Sequence, residues 1–353
     1  MFRPFGGHGA PCPYEGFALY YIFLWNCCKS IINPDEKFLN GVVVTLCVTT
    51  GNIFSKSFPN VLPHSNRKQV PPLKTGLVLE GGAMRGLFTA GITDAMMARG
   101  IVFDGIIGVS AGAAFGCNIK SNQPGRALRY NTAYARDPRY CSVRSLLTTG
   151  DLYGADFCYH ELPDRLDLFD ADTFAASPTA FYVVCTDVDS GNAVYHRLDR
   201  ADYDDLEWIR ASSSMPLVSR IVEVDGFRML DGGIADSIPL RQFQEFGYEK
   251  NIVILTQPRG YTKSKNSLLP VMRVVYRKYP HLLDAIARRH EMYNETLEYL
   301  REEERCGNTL ILCPDEKLPI ERVERDPAKL HEVYGIGQAY AEREMERIME
   351  FLG

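Results

Sequence analysis

Ser110 stands in Gly108-Val109-Ser110-Ala111-Gly112, the G-x-S-x-G pattern of a sharp strand-to-helix turn that lifts a hydroxyl above a sheet edge. Side chains at Gly108 or Gly112 would collide with backbone in so tight a turn, and the dipole of a following helix would stabilise an oxyanion beside the hydroxyl. Such a serine is a candidate nucleophile, although the same five residues also suit a plain cap on a turn. Upstream stands Gly81-Gly82-Ala83-Met84-Arg85-Gly86, a loop able to present several N–H groups to a negative oxygen. A dinucleotide fingerprint competes for this loop, with Asp104 as the ribose acid, but Ala83 occupies that pattern's second glycine. Downstream, Asp231-Gly232-Gly233 sets a carboxylate on a glycine turn, a candidate base if it reaches the first two loops and a surface turn otherwise.

These residues need a sheet whose loops converge at one edge. Leu77, Val78 and Leu79 form a buried-strand run, and Leu87, Gly91, Ile92, Ala95 and Met96 recur at helical spacing up to Gly100. A second strand-to-helix unit follows, with Ile106, Ile107 and Val109 as strand and Ala111 to Ile119 as helix. Two such units favour a parallel sheet covered by helices. Further strands are expected at Phe181 to Thr186, at Ile252 to Thr256, and in a hairpin of Ile221 to Val224 and Phe227 to Leu230 across Asp225-Gly226. Helices are expected at Asp204 to Ser212 and Leu240 to Phe246. Three segments result: an N-terminal extension over 1–70, a catalytic domain over 71–256, and a linker with a mainly helical C-terminal region over 257–353.

Taken in order, G-G-x-x-R-G, G-x-S-x-G and D-G-G resemble the motifs of the patatin-like phospholipase family. The likeness runs over about residues 74 to 255 and includes Leu77-Val78-Leu79-Glu80, Ala211-Ser212-Ser213-Ser214-Met215-Pro216 and Asp236-Ser237-Ile238-Pro239. Tyr276-Arg277-Lys278-Tyr279-Pro280, Arg289-His290 and Tyr293-Asn294 resemble the C-terminal region of a bacterial subgroup. The resemblance implies an α/β fold, a three-layer α/β/α arrangement with a mostly parallel central sheet, plus a mainly helical C-terminal region. It implies a lipid acyl hydrolase of phospholipase A or lysophospholipase type that needs no cofactor and no metal. Ser110 would be the nucleophile, Asp231 its base, and the backbone around Gly81, Gly82, Ala83 and Arg85 the oxyanion hole, with Gly108 and Gly112 shaping the nucleophile turn. The family usually has a third glycine where this chain has Ala83, whose methyl disfavours φ > 0.

An aspartate is a weak base unless desolvated, so the pair calls for an apolar pocket, which suits an acyl chain. A Ser-Asp-His triad would draw its imidazole from His281, His290 or His331. A third reading is a lipid-binding or regulatory module with little turnover. Arg126, Arg129, Arg136, Arg139 and Arg144, interleaved with Tyr130, Tyr134 and Tyr140, suggest either a basic aromatic face for anionic lipid or a solvated helix face.

Composition narrows the rest. The formal net charge of −5 and 24% charged residues give no electrostatic case for nucleic acid. Neither His290-Glu291 nor His331-Glu332 has the second histidine of a zinc helix, so no metal is expected. The 10 cysteines are scattered, which favours reduced thiols and a cytoplasmic setting, with peripheral membrane contact as an option. The apolar run Phe17 to Trp25 is too short for a bilayer, which takes about 20 residues. The partner implied is therefore a lipid or acyl-ester substrate.

Overall fold

In Thr75–Leu79 (β1), Leu77, Val78 and Leu79 are fully buried, as a strand covered on both faces requires. The computed structural model describes residues 73–353; the expected N-terminal extension lies outside the described residues. After β1 come Gly86–Ala98 (α1), Gly105–Val109 (β2) and Ala111–Lys120 (α2), the two strand-to-helix units expected. Arg126–Tyr134 (α3), Val143–Thr149 (α4), a wide helical turn at Phe157–Leu166, and Ala171–Ala176 (α5) lead to Ala180–Asp187 (β3) and Ala193–Leu198 (β4). Tyr203–Ser212 (α6), Val222–Val224 (β5), Phe227–Asp231 (β6), Leu240–Glu245 (α7) and Lys250–Ile254 (β7) follow. Leu269–Val275 (α8), Pro280–Arg305 (α9), Thr309–Leu312 (β8) and Pro327–Leu352 (α10) complete the chain.

The sheet is mostly parallel. β1 pairs β2 and β7, β2 pairs β3, and β7 pairs β8, all parallel, while β4, β5 and β6 join antiparallel. Alternate residues of one strand face different helical layers, as the period of two demands. Leu77 and Leu79 join a core with Phe88 and Ile92 of α1 and Val333 and Ile348 of α10. Val78 joins a second core with Leu240 and Phe243 of α7 and Tyr293 and Leu300 of α9. The three-layer α/β/α expectation therefore holds, with a helical C-terminal region.

That region is built into the core. β8 extends the sheet, and α10 packs on α1, where Tyr334 donates a 2.7 Å hydrogen bond to Asp94, whose other tie is the Gly125 amide at 2.7 Å. The hairpin across Asp225-Gly226 forms as expected, with φ of 50 and 79 at its corner, the pair of positive values that matches strand twist. β4 and β8 are strands that the sequence pattern did not reveal. Among the described residues no helix is long and apolar enough to cross a membrane.

One detail of topology positions the site. β3 has β4 along one edge. On its other edge β2 pairs as far as Val109 opposite Val184, and β6 begins at once with Asp231 opposite Cys185. β6 thus takes over the edge at the point where β2 turns away.

Candidate active site

Ser110 is the first residue of β2's turn into α2, with φ 54 and ψ −122, a left-handed backbone that is strained for any residue but glycine. Its carbonyl accepts the first two helical bonds of α2, from Ala113 and Ala114 at 2.9 Å each. The turn closes so tightly that a Cβ on Gly112 would lie 2.4 Å from the Leu79 carbonyl oxygen, and one on Gly108 2.6 Å from the Ala113 amide. Both glycines are dictated by that proximity.

The shared β3 edge brings Asp231 beside Ser110, near enough for the serine hydroxyl to favour the ionised carboxylate. Both residues are buried, each 7% exposed. The Gly233 amide donates to the carboxylate at 2.8 Å, and the Asp231 amide donates to the Ser214 carbonyl at 2.8 Å. Burial pushes the Asp231 carboxyl above its ordinary value, against the pull of Arg289, the Ser110 hydroxyl, the Gly233 amide and Arg322. Desolvation is what makes a carboxylate a better base.

The glycine loop stands over the same edge. Its Met84 amide donates to Arg322 and its Arg85 amide to Gly82, so both are spent. The amides of Gly81, Gly82 and Ala83 have no acceptor among the described residues. This corrects one expectation: the Arg85 amide is unavailable to an oxyanion, and Arg85 brings its guanidinium instead. Ala83 has φ 49, so its methyl is held in the region that disfavours it. Glu80 anchors the loop from below: its carboxylate accepts from the Thr256 amide at 2.6 Å and from the Tyr293 hydroxyl at 2.6 Å.

Two cavities meet at Ala83, Ser110 and Met215. One is mainly apolar, lined by Met84, Phe115, Tyr130, Leu162, Phe169 and Ile209 among others. The other carries charged groups on a partly apolar wall and contains Asp231, Arg85, Lys263, Arg289 and Arg322. Sequence reasoning missed Lys263 and Arg322, and it assigned Gln257 to Pro270 to a linker. That segment lends Lys263, Asn266 and Leu268 to the cavity wall.

Other sequence candidates fall away from the site. His281, His290 and His331 line neither cavity; His160 is paired with Glu207 at 2.8 Å and His196 stacks on Trp208. Asp104 accepts from the Thr75 amide at 2.7 Å at the opposite end of β1, where no ribose beside the glycine loop could reach it. Of the two readings of the arginine-rich stretch, the solvated face fits Arg129, Arg136, Arg139 and Arg144, which are exposed. Tyr130 and Tyr140 turn inward, Arg126 is buried against Asn118 and the Asp167 carbonyl, and Arg129 and Arg139 are paired with Asp167, Asp137 and Glu161. Desolvation drives the tyrosines into the apolar cavity and leaves the arginines to pair with the acids around it.

Comparison with known proteins adds independent findings. The family model described as patatin-like phospholipase matches residues 77–243, and a domain of unknown function, DUF6363, matches residues 279–353. An uncharacterized Escherichia coli protein, YjjU, is 34% identical over 208 residues, covering 56% of this chain; the chain spans only 56% of that protein's length. Among solved structures, VipD from Legionella pneumophila is 11% identical with a TM-score of 0.39, over 78% of this chain and 67% of that one. The type III effector protein ExoU is 12% identical with a TM-score of 0.33, over 78% and 53%.

Proposed function

We propose, from the premise that residues 77–243 are a patatin-like phospholipase domain and so belong to a lipid hydrolase family, that this chain cleaves lipid acyl esters with Ser110 and Asp231. The observation that carries the reading is the Ser110 hydroxyl set beside a buried carboxylate whose basicity is raised by desolvation, at the mouth of an apolar cavity.

Ser110 attacks the ester carbonyl while Asp231 accepts the hydroxyl proton. The oxygen of the tetrahedral intermediate takes hydrogen bonds from the amides of Gly81, Gly82 and Ala83, and the acyl chain lies along Phe115, Tyr130 and Leu162. Asp231 then gives its proton to the departing alkoxide. Water, deprotonated by Asp231, attacks the acyl-serine and releases the fatty acid, restoring the pair. No imidazole takes part.

The experiment is labelling with a fluorophosphonate probe together with hydrolysis of p-nitrophenyl acyl esters of increasing length. Wild type labels and turns over the longer esters, and Ser110→Ala does neither. Hydrolysis that survives in Ser110→Ala would sink the assignment.

A further inference from the structure

The charged cavity holds more positive charge than ester hydrolysis requires. Its charged lining consists of Arg85, Lys263, Arg289 and Arg322 against Glu80 and Asp231. Glu80 is occupied by Thr256 and Tyr293, and Asp231 accepts from the Gly233 amide beside Ser110. None of the four cations forms a carboxylate ion pair among the described residues. The Nε atoms of Arg85 and Arg289 are shielded from solvent with no hydrogen-bond partner, a costly state for a charged donor. Burial and the neighbouring Arg289, Arg322 and Arg85 bring Lys263 down to about 8, which an anion beside it would reverse. Three of the four cations, Lys263, Arg289 and Arg322, lie outside the 77–243 match, two of them within residues 279–353.

We propose that this cavity receives the alcohol side of the scissile ester and selects leaving groups that carry a phosphate with no compensating cation. The inference rests on Ser110 being the nucleophile. With the carbonyl at Ser110, an acyl chain fills the apolar cavity and the alcohol must extend into the cavity shared across Ala83 and Met215. There the guanidinium forks of Arg289 and Arg322 can grip phosphate oxygens in pairs while Lys263 supplies a point charge. A choline or ethanolamine group would meet like charge. The ring faces that could have caged a quaternary ammonium are already taken, because the Lys263 ammonium sits 4.2 Å from the centroid of Tyr293 and 5.9 Å from that of Tyr261.

The test compares three lipids with one acyl chain, lysophosphatidic acid, lysophosphatidylcholine and monoacylglycerol, presented to the full chain in neutral detergent micelles. Lysophosphatidic acid should lead in kcat/KM by about tenfold or more, and Lys263→Gln and Arg322→Gln should each collapse that ratio. Calorimetry on Ser110→Ala should show binding of glycerol 3-phosphate and none of glycerol. Equal rates on the three lipids, with p-nitrophenyl esters still cleaved, would overturn the headgroup subsite and leave the hydrolase intact. Inorganic phosphate bound as tightly as glycerol 3-phosphate, with no lipid preference, would overturn it in favour of a free-anion site. Glycerol 3-phosphate bound without hydrolysis of any ester would overturn the nucleophile assignment, and the leaving-group role with it.

Discussion

The Ser212 hydroxyl accepts the Ser110 amide hydrogen at 2.8 Å and donates its own to the Val184 carbonyl at 2.6 Å. It thereby pins the backbone of the nucleophile to the strand beside it. The left-handed conformation of Ser110 costs about 1–3 kcal/mol and needs such support to persist. Ser212→Ala leaves a buried donor and a buried acceptor unmet, so stability should fall by about 1–3 kcal/mol. The turn should also relax, lowering kcat more than it raises KM. Urea denaturation and steady-state kinetics on the same preparation check both halves.

Asp231→Asn should reduce kcat by about ten-thousand-fold, because the asparagine keeps the shape but accepts no proton. The serine should then react with the fluorophosphonate probe far more slowly. Undiminished labelling in Asp231→Asn would move the base elsewhere.

The pH profile follows from the same carboxylate. Burial raises the Asp231 carboxyl, and the ionised form is the active one. Activity should therefore be complete above that raised value and vanish as pH falls through it, with the acid limb lying above the ordinary carboxylate range. Arg289 holds the carboxyl down, so Arg289→Gln should move the limb to higher pH. A limb that stayed put in Arg289→Gln would refute the electrostatic link.

Tyr293 reaches from α9 to a buried Glu80 oxygen at 2.6 Å. Tyr293→Phe removes that donor and leaves the Thr256 groups as the carboxylate's remaining protein contacts. The expected loss is about 1–3 kcal/mol in urea unfolding.

Ala83 sits at φ 49, where a methyl costs about 1 kcal/mol relative to glycine. Ala83→Gly should be neutral or stabilising by up to about 1 kcal/mol and keep or raise kcat. Ala83→Val should lower both, since a β-branched side chain tolerates that region least. Thermal melts of the pair against wild type decide the sign.

Much of this architecture could be read from sequence because its signals are local. The strand-to-helix units announce themselves by a switch of period between Leu79 and Leu87, and Ser110, Gly81 and Asp231 each stand in a glycine-marked turn. The cations could not be read this way. In Arg288-Arg289-His290 the pattern is that of a solvated helix, and only the passage of α9 over the site turns Arg289 inward while Arg288 stays exposed. Lys263 lies among Pro, Gly and Ser residues that read as a linker. β8 has just 4 residues, too few to show alternation, and it exists because the β7 edge is open to it. The tyrosines of the arginine-rich stretch could not be placed for a related reason, since an amphipathic face looks the same whether its aromatics meet lipid or a cavity.

Asp231 meets Ser110 only because β6 takes the β3 edge that β2 vacates, in one register. Strand side chains alternate, so a slip of one residue would send the carboxylate to the far face and offer Leu230 in its place. Competence is thus a digital property of each molecule. A refolded sample with half the specific activity should contain half its molecules fully active and half silent, with KM unchanged and turnover per probe-labelled serine equal to that of native protein.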